Sequence, residues 1–188
     1  MNTNIYFDVS ELRNWLLLVV GLVGAFVTIR TFIYSTRQRK IDNTYKTLDF
    51  LRRHIGDDQI KTFVALFHAN NELSGVKVNE FIFEDGRIDT IETMFSEGGC
   101  GNGDIHNIIE LFNLISPTLA DLETKIIWYE YGQIMSKVYS WTQYLEQEDK
   151  KENGVKKDIE FFSDFNKYMK KNWDNMLFMP TKHYTYAE

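Results

Sequence analysis

A single cysteine, Cys100, leaves the chain without an intrachain disulfide and without a multi-cysteine metal site. That usage fits a reducing compartment or is silent about it. The only prolines, Pro117 and Pro180, stand where helices start or stop rather than inside them, so the composition favours helix. His54, His68, His106 and His183 have no partner at metal-ligand spacing, and neither a metal nor another cofactor is expected. Basic residues are outnumbered by acidic ones over most of the length. Residues 1–40 carry +3 and the other 148 carry −9, which together make the net −6. A body that acidic is a poor general nucleic-acid binder, because neutralising phosphates needs a basic surface. With 44% apolar residues and 15% aromatics over 188 positions, the chain can bury a core and is not a disordered protein.

What the sequence does have is one long apolar run. In "NWLLLVVGLVGAFVTIRTFIYSTRQRK", residues 14–40, only Gly21, Gly24 and Thr28 interrupt the apolar residues from Trp15 to Ile29. Phe32, Ile33 and Tyr34 carry the run past Arg30 to about twenty residues, roughly 30 Å at about 1.5 Å per residue, which matches the hydrocarbon core of a bilayer. A secretory signal peptide is a poor fit, since Asp8 and Glu11 precede the run and arginines end it. A helix buried in a soluble core is the other alternative, but a chain this short rarely surrounds one on all sides. Trp15 and Tyr34 are placed as interfacial aromatics, and Arg30 as a residue whose stem stays in lipid while its guanidinium reaches the headgroups. Arg37, Arg39 and Lys40 orient the C-terminal side to the cytoplasm. The expected protein is single-pass, N-terminus outside, with its body inside the cell. Its segments are 1–14 (short and extracytoplasmic), 15–36 (span), 37–56 (stem) and 57–188 (cytoplasmic body).

Inside the run, Gly21, Gly24, Thr28, Thr31 and Ser35 are spaced 3, 4, 3 and 4 apart, which places them on one helical stripe. Gly21 and Ala25 form a small-xxx-small pair as well. Small residues let helix backbones approach and hydroxyls bond across an interface, so the stripe reads as an oligomerisation or pore-lining face. With one span per chain, the simplest partner is another copy. The bland alternative is a span whose glycine and threonine carry no association.

Past the membrane the helix is expected to continue to Ile55, with Ile41, Tyr45, Leu48, Leu51 and Ile55 at helical spacing. The body reads as an all-α bundle. "DDQIKTFVALFHANNEL" offers Ile60, Phe63, Val64, Leu66 and Phe67 as an apolar face, and "RIDTIETMFSE" makes a short helix. "VKVNEFIFEDG" alternates like a strand and is either a hairpin arm or a loop. In "EGGCGNGD" a flexible loop is expected, with Asp104 capping a helix whose face is Ile105, Ile108, Ile109, Phe112 and Ile115. Pro117 is expected to open a helix of about thirty residues, "EDKKENG" to be a charged linker, and "VKKDIEFFSDFNKYMKKNWDNMLFM" to supply a last amphipathic helix.

No enzyme emerges. "GGCGNGD" has the glycines of a phosphate cradle without the Gly-Lys-Ser/Thr ending, and "EDGRIDTIE" is without the spaced oxygen ligands of a calcium loop. Cys100 has no neighbouring base.

The span with its small-residue stripe, the basic stem "STRQRKIDNTYKTLDFLRR" and the segment "DIHNIIELFNLISPTLADLETKIIWYEYGQIMSKVYSW" together resemble the small transmembrane accessory protein of type VI-B CRISPR systems, and related uncharacterised bacterial membrane-anchored helical proteins. That resemblance implies a HEPN-like cytoplasmic domain and a ring of spans around a pore. It also implies partnership with an RNA-guided ribonuclease whose antiviral action is enhanced by membrane depolarisation. HEPN ribonucleases use an arginine followed four to six residues later by histidine. Here Arg52 and Arg53 adjoin His54 at the wrong spacing, so nuclease activity is not expected. A membrane effector, a membrane-tethered binding module and a ribonuclease are the three function classes the sequence leaves to be separated.

Overall fold

Helical periodicity becomes six α-helices and one β-hairpin among the described residues of the computed structural model, which are 9–70, 79–99, 101, 103–153, 162–176 and 178–184. In chain order they are α1 (Val9–His54), α2 (Asp57–Ala69), β1 (Glu80–Ile82), β2 (Ile88–Thr90), α3 (Ile91–Phe95), α4 (Asp104–Ile115), α5 (Thr124–Asn153) and α6 (Ser163–Met176). A 3-10 helix, Ser116–Asp121, separates α4 from α5. The chain divides into two units, Met1–Asp42 and Asn43–Glu188.

In the first unit every described residue belongs to α1. The expected extracytoplasmic segment 1–14 is therefore helical from Val9 onward, because nothing between Val9 and Trp15 breaks a helix. Gln38 donates to Asp42 one turn on, at 3.0 Å, a local pair typical of an exposed helix face.

The second unit has one core. The last turns of α1 contribute Leu48 and Leu51, α2 contributes Phe63, Val64 and Leu66, and all five expected α4 positions from Ile105 to Ile115 are buried. Along α5, Ile127, Trp128, Tyr131, Ile134, Met135, Val138 and Trp141 face inward, and α6 adds Phe165 and Met169. Trp141 has no exposed surface and meets Phe81 and Phe63 with ring centroids 5.6 and 6.1 Å away. Offset aromatic contacts of this kind add to what area burial alone contributes.

Several local expectations are corrected. The described body is mostly helical, as expected, but it also carries a two-stranded sheet, in which β1 and β2 pair antiparallel with Phe81 opposite Asp89. "VKVNEFIFEDG" thus supplies one arm of a hairpin, its residues 76–78 lying outside the described residues. "RIDTIETMFSE" gives Ile88–Thr90 to the second strand and only Ile91–Phe95 to a helix. The turn explains the split: Gly86 N–H donates to Phe83 C=O at 2.9 Å and Asp85 accepts from Arg87 N–H at 2.9 Å, which folds Ile88 back beside Ile82. Thr90 then caps α3 by accepting from Thr93 N–H.

Pro117 does not open the long helix. It sits in the 3-10 helix, and α5 begins at Thr124, where Thr44 in α1 accepts from the N–H of Glu123 at 2.8 Å. At its other end α5 runs to Asn153, so most of the expected charged linker is helical, as a stretch without proline or glycine permits. Asp104 is not the cap of α4. Gly103 holds that position, and the Asp104 carboxylate accepts from the Thr62 hydroxyl at 2.6 Å. The last helix spans Ser163–Met176, and 154–161 lie outside the described residues. Its first N–H groups, those of Asp164 and Phe165, both donate to the Asn113 side-chain oxygen at 3.1 Å, so α4 caps α6.

The glycine-rich segment is expected as a flexible loop, yet it is held against α3. A Cβ on Gly99 would lie 2.3 Å from the carbonyl oxygen of Thr93, and Gly101 N–H donates to Met94 C=O at 3.2 Å. Only glycine fits that approach. Cys100, between them, lies outside the described residues.

Candidate functional site

The site the sequence singles out lies on α1, and its geometry begins with exposure. Every large apolar side chain from Trp15 to Tyr34 is between 51% and 71% exposed. One helix among the described residues is long and apolar enough to cross a membrane, by length and composition, and none of its most apolar window is buried in the protein. A continuous helix satisfies its own backbone hydrogen bonds, which is the condition for surviving in hydrocarbon.

Gly21, Gly24, Thr28 and Thr31 are exposed and Ser35 is half-buried, all on α1. A Cβ on Gly21 or Gly24 would meet nothing within 4 Å, so neither glycine is required by contacts inside the chain. The Thr28 and Ser35 hydroxyls are occupied as donors: Thr28 Oγ1 donates to Gly24 C=O at 2.8 Å, and Ser35, like its neighbour Thr36, donates to Phe32 C=O at 2.9 Å. Bonding across an interface would therefore use these oxygens as acceptors, a restriction the bare spacing did not reveal.

Around the helix, at about 100° per residue, the five small positions share one face and Phe26, Arg30, Ile33 and Arg37 share the face roughly opposite. Trp15 falls on the arginine side, with Tyr34 at its margin. Arg39 falls toward the small residues, and Lys40 nearer the arginines. The sequence spacing contains this opposition, but following the small residues alone leaves it unseen. Trp15, Arg30, Tyr34, Arg37 and Arg39 are exposed and Lys40 is half-buried.

The second unit offers no comparable constellation. Among the described residues no three His, Cys, Asp or Glu side chains come together as a metal site. Arg52, Arg53 and His54 do not converge: Arg52 pairs with Glu130 at 3.1 Å, Arg53 with Asp49, and His54 Nδ1 lies 2.8 Å from Phe50 C=O. His106 pairs with Glu110 at 3.1 Å and packs edge-on against Phe162, and His68 lies edge-on to Phe67. A shallow cleft of about 430 Å³ is lined by His54, Gln59, Asn107, Glu110, Leu111 and Leu114, with its two acid–base groups already engaged locally.

The most perturbed groups are tyrosines. Burial pushes Tyr131 up to about 12, opposed by Arg52 and assisted by Glu130, and burial pushes Tyr168 up to about 12. Tyr184 is raised further, first by burial and then by Tyr131 and Glu130. Its hydroxyl donates to Glu130 C=O at 2.7 Å, its N–H donates to Gln133, and Lys182 N–H donates to Tyr129 C=O, so residues 182–184 are strapped along α5. Gly132 makes room: a Cβ there would lie 2.5 Å from Thr181 Cγ2 and 2.8 Å from the Trp128 ring. Tyrosines raised chiefly by burial, as these are, do not by themselves make an acid–base site. Compared with known proteins, the chain matches no family model, no curated protein and no solved structure.

Proposed function

We propose that the chain is a single-pass inner-membrane protein that self-associates through the Gly21, Gly24, Thr28, Thr31 and Ser35 face, with its helical body in the cytoplasm. The observation that carries this reading is the uncovered run from Trp15 to Tyr34, more than half exposed at every large apolar position. At about 25 cal/mol per Å² of apolar surface, water is an untenable surrounding for twenty such residues, and lipid or sister helices are the ready cover. The open space over Gly21 and Gly24 supports a helix on that side.

In function, the assembly perturbs or perforates the membrane as a non-enzymatic accessory to an RNA-guided antiviral ribonuclease, with a HEPN-like body. This part rests on the resemblance carried by the stem and the α4–α5 segment. The Arg39 and Lys40 flank supports the cytoplasmic placement of the body. The second reading is a membrane-tethered binding module, favoured by the core that the described body has of its own, which would act beside a membrane without needing a pore.

Mass measurement of the detergent-solubilised, full-length protein tests the first reading. A particle several times the 22.2 kDa chain is expected, falling toward one chain in the Gly21→Leu/Gly24→Leu variant, with depolarisation of phage-challenged cells lost alongside. A monomeric wild type would overturn self-association. Preserved defence after exchanging residues 15–36 for an unrelated apolar helix would favour the tether.

A further inference from the structure

Arg30 is set within the apolar run, and the face it occupies points to a ligand. A shallow groove along α1 is lined by Phe26, Ile29, Arg30, Thr31, Ile33, Tyr34 and Arg37, all of them exposed, and through Thr31 one edge of it reaches the small-residue face. Arg30 and Arg37 are two helical turns apart, about 10 Å along the axis, and share the side opposite the small residues. Helical Cβ atoms tilt toward the N-terminus, so Arg37 leans back toward the level of Tyr34, while Arg30 must extend its guanidinium out of the hydrocarbon to the same level. If Gly21 to Ser35 meet sister spans, both arginines face lipid, not the axis of the assembly.

We propose that this groove binds an anionic phospholipid, its headgroup phosphate held by Arg30 and Arg37 and an acyl chain laid along Phe26, Ile29 and Ile33. The inference rests on the membrane-span reading. Charge complementarity names the occupant: two guanidiniums that stay charged face a layer of phosphates, above an apolar floor that fits a chain and not a soluble anion. Zwitterionic lipid offers the same floor but no net charge for the second arginine.

Full-length protein is first tested for resistance to carbonate extraction from vesicles. It is then placed in nanodiscs of phosphatidylcholine with or without phosphatidylglycerol, and the lipids retained on release are counted by native mass spectrometry. Phosphatidylglycerol should be enriched on the order of tenfold over its bulk share. Arg30→Gln/Arg37→Gln should return retention to the bulk ratio while the protein stays carbonate-resistant. Arg30→Lys/Arg37→Lys should keep part of the enrichment, and Lys125→Gln, which removes an exposed lysine in the first turn of α5, all of it. Retention at the bulk ratio in wild type, or enrichment undiminished in the glutamine variant, would overturn the lipid site alone. Free glycerol phosphate raising the melting temperature as much as phosphatidylglycerol does would overturn the role of the acyl chain and with it the proposal. Extraction by carbonate would overturn the lipid site and the membrane span together.

Discussion

The two units of this chain satisfy their polar groups in opposite ways. On α1 above Asp42, hydroxyls turn back onto their own helix: Thr28 bonds Gly24, and Ser35 and Thr36 bond Phe32. In the second unit they reach across the fold. Thr44 accepts from Glu123 N–H, Asn113 caps α6, and buried Asn70 donates to Glu80 C=O while accepting from the Trp141 indole. Thr142, Asn166 and Glu146 form another such chain, at 2.9 and 2.6 Å. A segment whose side chains close on themselves can sit in a medium that offers no hydrogen bonds. One cross-linked by its polar groups depends on a single arrangement of its parts.

Two tryptophans break that comparison most sharply. Trp141 is fully buried, touches Phe81 and Phe63, and donates to Asn70 Oδ1 at 3.2 Å. Trp141→Ala should cost about 3–5 kcal/mol, enough to unfold much of the body at ambient temperature. Trp15, 66% exposed, should behave otherwise. Trp15→Ala should leave the body's unfolding transition where it is and, on the proposed membrane-span reading, change only the depth of the helix in lipid. Thermal unfolding of the full chain in detergent, followed by near-ultraviolet circular dichroism, separates the two. A cooperative transition that falls equally for both variants would mean the two regions do not behave as separate units.

The long, periodic elements were legible in the sequence. The α4 face from Ile105 to Ile115 and the apolar face of α2 are buried as their spacing requires, apart from Ile60 and Phe67, which are half-buried. Boundaries set by distant partners were not legible. α5 starts where Thr44 meets Glu123, 79 positions away, and α6 starts where Asn113 waits, 51 positions away, and no local pattern announces either. Pro117 looked like a helix start because proline tolerates the first turn, but a 3-10 turn tolerates it equally well. Ile88, Asp89 and Thr90 read as helix beside their apolar neighbours, and only pairing with Glu80–Ile82 makes them a strand. On α1 the small-residue stripe was plain from its spacing, whereas the opposed arginine face needed the whole circumference to be laid out.

A pair of threonines sharpens the same contrast at smaller scale. Thr44 is fully buried and its oxygen is the acceptor for Glu123 N–H. Thr44→Val keeps the volume and leaves that donor unsatisfied, at a cost of about 1–3 kcal/mol. Thr28→Val removes a hydroxyl whose acceptor, Gly24 C=O, remains within its helix, and the effect on body stability should stay within about 0.5 kcal/mol. Chemical denaturation of both variants in one detergent reads the difference directly. Equal losses would contradict the assignment of Thr44 to a cross-link and Thr28 to a local bond.

The mildest distinction between the two regions is one of pH. In the second unit Tyr131 and Tyr168 are held up near 12 and Tyr184 higher still, chiefly because burial disfavours the phenolate. In the unfolded chain the same groups release their protons near 10. Above that pH the folded body therefore binds more protons than the unfolded chain, and its stability falls as pH rises. The contribution of Tyr131 and Tyr168 is fully present below about pH 10 and is lost between about 10 and 12, while that of Tyr184 goes on falling above that range, so nothing should change between pH 7 and 9. Replacing Tyr168 with phenylalanine should remove one of the titrating groups and flatten the decline, because its raised value has burial as its sole cause. Tyr184→Phe is a less clean test, since that hydroxyl also donates to Glu130 C=O. Denaturation midpoints measured from pH 8 to 12 check the slope. A decline that begins below pH 9, or that is unaltered in Tyr168→Phe, would show that groups other than the buried tyrosines govern it.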